Sequence, residues 1–242
     1  MKIHTNEQKI RRNRIRQLIG IVLTMSLLLV TIFAVVLLVT YLISPALANS
    51  PVLLIAIGLL STFIGLQVGN QLSGLPAAHE ALNDALKGLD ADHHLYHYYL
   101  PADHVLITPR GTFTIAARTQ KTNVSFEDGK PRTQDGLIRR FTRSVTGQPL
   151  GKPMDDALTD AAQTLQWLQQ HLNAGGVEVQ PVLVFVHPEA EVDVVGESPV
   201  PILRPDKRKP SLKAYVKDYP QSETALTAAD IDVLNEILRI TA

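Results

Sequence analysis

The chain of 242 residues contains no cysteine, which excludes disulfides, thiolate metal sites and a cysteine nucleophile. That absence does not assign a compartment, because a protein without thiols is indifferent to redox state. A second absence is local: no Asp, Glu, Lys or Arg occurs from Gln17 to Ala78. Motifs of the P-loop, dinucleotide-fingerprint, serine-elbow and zinc-protease kinds are also missing.

The formal net charge of zero conceals a segregation. Residues 1–16 hold Lys2, Lys9, Arg11, Arg12, Arg14 and Arg16 against Glu7 alone, whereas from His79 onward 17 basic residues face 22 acidic ones. The chain therefore divides into a basic tail over residues 1–16, an uncharged stretch over 17–75 and a mildly acidic part over 76–242. The last of these is large enough for one domain with its own core.

The uncharged stretch predicts membrane insertion. Leu18 to Ile43 is an apolar run of 26 residues, 18 of them Leu, Ile, Val or Phe, and on the insertion scale those side chains favour a bilayer by roughly 5–11 kcal/mol. Thr24, Ser26, Thr31 and Thr40 interrupt it mildly, since hydroxyls can return bonds to their own helix. Ser44–Pro51 breaks the pattern, and a second apolar run covers about 52–69. The expectation is a two-helix transmembrane hairpin in the lipid bilayer of the cell membrane, with spans over 18–43 and 52–69. Gly65 and Gly69 form a GxxxG that permits close helix contact. Ala46-Leu47-Ala48 has the form of a signal-peptidase site, but the preceding run is too long for a signal segment. The basic tail keeps the N-terminus cytoplasmic, and two spans return the C-terminal domain to the same side.

Past the hairpin, Pro76 opens a short helical pattern with Ala78, Leu82, Ala85 and Leu89 on one face. Three strands follow, over 93–100, 104–108 and 112–118, and their short connections make them an antiparallel meander. Residues 119–152 read as a polar excursion with a short strand near Leu137–Val145. Pro153 starts a helix in which Leu158, Ala161, Leu165, Leu168 and Leu172 recur at helical spacing, with Asp155 and Asp156 in its first turn. Val177–Val186 reads as a buried strand and Val200–Leu203 as another. A helix over 211–217 and one capped by Thr227-x-x-Asp230, carrying Ile231, Leu234 and Leu238, end the chain. This is an α/β order: a mixed sheet flanked by helices.

The helix HEALNDALKGL, the Tyr-rich strand, the run DHVLITPRGTFTI, the Leu-spaced helix and PVLVFVHPEAEVDV resemble, over roughly residues 77–217, the nuclease-related domain (NERD) family. That family belongs to the PD-(D/E)xK, or restriction-endonuclease-like, superfamily. The resemblance implies an αβββαβ core and metal-assisted phosphodiester hydrolysis. In it, an Asp opening one strand and a Glu on the next hold Mg²⁺, a hard cation that demands oxygen ligands. A Lys two residues after that Glu orients water. Asp103 matches the first carboxylate, but the Glu-x-Lys falls on Ala116-Ala117-Arg118, so the second carboxylate is missing and Arg replaces Lys. Glu80 on the preceding helix matches an acid of the pattern, which leaves Asp103 and Glu80 as the candidate metal ligands and Arg118 as the phosphate-facing cation. Lys121 replaces the Lys only if the register slips. The resemblance thus implies a domain that has lost catalysis and serves binding, scaffolding or regulation toward a protein or nucleic acid. The alternative is a Mg²⁺-dependent membrane-tethered DNA nuclease.

His93, His94, His97 and His104 cluster in sequence and invite a metal reading; on a strand, His93 and His97 share a face and His94 takes the other. Lys207-Arg208-Lys209 and Arg139, Arg140 and Arg143 are small basic patches suited to nucleic acid or anionic lipid. The net negative charge of the domain opposes general nucleic-acid affinity. Trp167 reads as a packing residue of the long helix.

Overall fold

The computed structural model describes residues 1–43, 78–119, 123–127, 130–133, 152–172, 176–206, 208, 210–222 and 224–239. The chain packs as two units, one of Met1–Ile10, Pro76–Leu137 and Leu150–Ala242, the other of Arg11–Leu75 and Ile138–Pro149.

The first unit is built on a mixed six-stranded sheet. Its strands are β1 (Lys2–Thr5), β2 (His94–His97), β3 (His104–Thr108), β4 (Gly111–Arg118), β7 (Val179–Phe185) and β9 (Ile202–Leu203), side by side in the order β1-β2-β3-β4-β7-β9. β2, β3 and β4 form the antiparallel meander, while β1 pairs parallel with β2, and β4, β7 and β9 run parallel. A separate three-stranded sheet has the order β6-β5-β8, from β5 (Asn123–Glu127), β6 (Lys130–Thr133) and β8 (Glu191–Val195).

Two turns fix the meander. At the first, Tyr98 adopts φ 63° and its N–H donates to Asp103 O at 2.7 Å, a left-handed conformation that costs a non-glycine residue about 1–2 kcal/mol. At the second, the Thr108 hydroxyl accepts from Arg110 N and Gly111 N and donates to Gly111 O. Gly111 has φ 154°, and a Cβ there would meet the Tyr219 ring at 3.6 Å.

Strand alternation sorts the core into two layers. Leu95, Leu106, Phe113, Ile115, Val182 and Val184 face one side, where helix α2 (Ala78–Leu86) contributes Leu82 and Leu86 and helix α4 (Leu212–Asp218) contributes Leu212 and Val216. Tyr96, Val105 and Ile107 face the other, against Leu168 of helix α3 (Pro153–Leu172) and Ile231 and Leu234 of helix α5 (Ala228–Ile237). Ala116, Leu183 and Phe185 continue that second layer toward Met154 and Ala157 of α3 and Phe126 and Val192 of the small sheet. The buried stripe of α3 runs through Ala157, Ala161, Thr164 and Leu168, whereas Leu158 is 44% exposed. Small residues let the helix lie close to the sheet, so the stripe passes one position from the Leu at which the periodicity starts.

The helix ends are set locally. Asn6 follows β1, its side chain accepts from Lys9 N at 3.0 Å, and helix α1 (Glu7–Ile43) begins there, as an N-cap residue requires. Thr227 and Asp230 form a reciprocal capping box on α5. Thr227→Ala is expected to remove about 1 kcal/mol, read as a lower urea midpoint at unchanged slope.

Three expectations are corrected here. Among the described residues, no helix is long and apolar enough to cross a membrane. The transmembrane hairpin and the two-pass cell-membrane placement therefore fall. The expected first span is instead the later part of α1, which also carries Lys9, Arg11, Arg12, Arg14 and Arg16 in its opening turns, so apolar run and basic residues form one element. Thr40 does return its hydroxyl to Val36 O and Leu37 O. Secondly, residues 1–16 are not one tail: Lys2–Thr5 is a sheet strand. Thirdly, the polar excursion contains the β5–β6 hairpin. The second span, its GxxxG, Ala46-Leu47-Ala48, Lys121 and the strand near Leu137–Val145 lie outside the described residues.

Candidate functional site

Asp103 sits in the turn before β3, with the parity of Val105, and therefore on the α3 side of the sheet. Arg118 ends β4 with the parity of Ala116 and projects to the same side. Helix α3 meets both through residues spaced four apart. Asp156 pairs with the Arg118 guanidinium, and Thr164 Oγ1 accepts from Ala102 N at 3.3 Å. Asp160 lies between them on that stripe. Its carboxyl is raised above the usual range by burial and by the neighbouring Asp103 charge, against a lowering by Arg118. Asp103 is likewise raised by burial of its carboxyl, partly offset by the Lys9 ammonium. The structure thus sets Asp156 and Asp160 beside Arg118, whose Nε is buried with no partner among the described residues, and Asp103 beside Asp160. The α3 acids were not singled out from sequence, although their i, i+4 spacing was visible.

Glu80 is elsewhere. It belongs to α2, on the opposite layer of the sheet, is 62% exposed, and its nearest charge partner is His79 at 4.0 Å. Asp103 and Glu80 therefore do not meet. Ala116 offers no oxygen at the intervening strand, and the residues expected to hold Mg²⁺ do not fit it. Among the described residues, no group of three or more His, Asp or Glu is placed to hold a metal ion.

The α2 side carries a histidine cluster instead. The register pairs His97 with His104, and their Nδ1 atoms lie 2.8 Å apart, while His97 Nε2 lies 2.9 Å from Asn83 Oδ1. If His97 donates to Asn83, its Nδ1 must accept, so His104 Nδ1–H is the donor. Nitrogens this close are hydrogen-bonded to each other and leave no room for a shared ion. Both rings are almost fully buried. Burial first, then the neighbouring histidines, lower His97 to about 4 and His104 to about 3. His79 lies edge-on to His97, and Tyr98 packs edge-on to His104. The Tyr98 hydroxyl is pushed up to about 12 by burial and by Asp103.

His94 takes the other face of β2, as alternation requires, and stacks with His4 of β1 and Tyr96. Trp167 stacks on His171 at 4.1 Å along α3. Arg208 is tied to Asp206 by both Nε and Nη2, while Lys207, Lys209, Arg139, Arg140 and Arg143 lie outside the described residues. No protein-family model, no curated protein and no solved structure matches the chain.

Proposed function

We propose that the α/β unit is a nuclease-related domain without phosphodiesterase chemistry, acting as a binding and assembly module. The observation that carries this reading is the state of Arg118. Its guanidinium is tied to Asp156, Ala116 stands where a second metal carboxylate belongs, and Glu80 lies across the sheet. The element order supports the kinship: a helix, an antiparallel meander, a helix and then a strand parallel to the last of the three. Kinship alone leaves activity open, so the site decides.

Asp156 and Asp160 beside Arg118, with Asp103 next to Asp160, also repel a phosphate backbone, which directs the binding role toward a protein rather than toward nucleic acid. The purified chain is expected to leave supercoiled DNA intact with Mg²⁺ or Mn²⁺, and to pass unretarded over immobilised DNA near 0.15 M salt, a condition at which ~8 Å screening still leaves contact charges effective. Nicking that disappears in Asp103→Ala would overturn the reading. A metal-dependent nuclease is the competing reading, and its one support is the proximity of Asp160 to Asp103. In that case Asp160→Asn, and not Glu80→Gln, would abolish nicking.

A further inference from the structure

Beyond the carboxyl end of β7 the described residues line a half-open cleft of about 370 Å³, within the range of small-molecule sites. Such crevices, outside the carboxyl ends of parallel strands, are where open α/β sheets take their ligands. Here β7 and β9 run parallel, and β7 leads away to β8 in the other sheet before the chain returns as β9, so the space between their ends stays open. Its floor is apolar, from Phe185 and Val186, both buried. Its helical wall is made by Ala81 and Ala85 of α2, two short side chains one turn apart that leave the volume empty.

Of the two arginines in the lining, Arg204 and Arg208, the first is fixed by the backbone. Arg204 is held at three points: its N–H donates to Pro210 O at 2.8 Å, its carbonyl accepts from Leu212 N at 2.9 Å, and its Nη2 donates to Val192 O at 2.9 Å. Arg204 lines the cavity, and Val192 O takes only its Nη2. A guanidinium fixed in this way presents a planar fork suited to a carboxylate-like group. Two carboxylates share the lining. The Asp206 charge is taken up by Arg208, which is also in the lining, and Asp84 stands on the α2 wall, where it opposes a second negative charge.

From this arrangement we infer that the cavity is a binding site for a small organic monoanion, with its carboxylate or sulfonate on Arg204 and its apolar body over Val186 beside the α2 alanines. This goes beyond the reading of the α3 side and does not depend on it, since neither Asp103 nor Arg118 takes part.

The test uses the full chain and two probes of similar shape, anionic 1-anilinonaphthalene-8-sulfonate and neutral N-phenyl-1-naphthylamine, followed by fluorescence titration. The wild type binds the anion at one saturable site. Arg204→Met weakens that binding at least tenfold and changes the neutral probe by less than twofold. Ala81→Leu, at a partly buried position of α2 beside the cavity and with a good helix former, fills the cavity and weakens both probes. If Arg204→Met fails to show a cooperative urea transition, Ala81→Leu and competition by a simple aryl carboxylate decide the matter. No binding by the wild type, equal binding of both probes by all variants, or an adventitious additive only, with many weak sites and no competition, overturns the inference. DNA cleavage by the wild type is scored separately, so failure of the non-catalytic reading and failure of this site cannot be confused.

Discussion

Between pH 6.5 and pH 4 the folded chain is expected to lose roughly 3 kcal/mol of stability through His97 alone, at about 1.4 kcal/mol per pH unit for each proton withheld. The cause is geometric. His97 and His104 are buried against each other between β2, β3 and α2, and neither neutral ring can gain a proton without placing an uncompensated charge in the core. His97 titrates at about 4 in the folded state against an ordinary 6.5, and His104 at about 3. The unfolded chain takes up these protons first. Stability is therefore whole above pH 6.5 and falls as the pH drops toward the folded values. Asp103 and Asp160 work in the opposite sense, because their raised carboxyls take a proton in the folded state earlier than in the unfolded one. Urea midpoints at half-unit pH steps read the sum. His97→Gln keeps a polar side chain beside Asn83 and cannot ionise, so its slope between pH 6.5 and 4.5 should be shallower by up to one proton. An unchanged slope would mean that the pair does not govern acid unfolding.

Phe113→Ala should cost about 3–5 kcal/mol, a large share of the ~5–15 kcal/mol that holds an ordinary domain folded. Phe113 is fully buried at the centre of the sheet, edge-on to Tyr219 at 4.9 Å and to Tyr215 at 6.3 Å. Its loss strips the α4 side of the core and leaves Tyr219, which also receives the Gly111 turn, with Tyr215 as its remaining ring neighbour at 5.8 Å. Phe113→Leu keeps most of the volume and should cost nearer 1 kcal/mol. Circular dichroism against urea distinguishes the two. If alanine and leucine were equally mild, the aromatic cluster would have been given too much weight.

The parts of the fold legible in the sequence were those where one period dominated. His104–Thr108 and Gly111–Arg118 alternate, and the Thr108–Gly111 turn chemistry leaves one connection open to them. The α5 capping box was readable because both partners lie within one turn. β1 was hidden for the opposite reason. Four residues, KIHT, carry too little pattern to outweigh the basic residues after them, and the partner that makes them a strand lies about ninety positions away. Helix α1 joins the expected basic tail and the expected first span in one element, a continuity that the composition of neither segment announces. The β5–β6 hairpin was missed since a run such as KPRT has the composition of a loop, and its pairing is settled by β8 from another part of the chain. At the site, Asp103 and Arg118 could be placed on one face from strand parity alone. That Asp156 and Asp160 replace Glu80 beside them depends on the layer each helix covers, which residue spacing cannot specify. The His97–His104 pairing likewise needed the β2–β3 register and the left-handed Tyr98 that sets it.

The parallel pairing of β1 with β2 has a consequence for synthesis. A ribosome adding about 5–20 residues per second releases Lys2–Thr5 several seconds before His94–His97 exists. Throughout that interval the nascent strand has its eventual neighbour still unmade, and closing so long a loop is slow in its own right. Chaperone engagement on the ribosome is therefore expected to begin with the first strand and to end only after the meander has emerged.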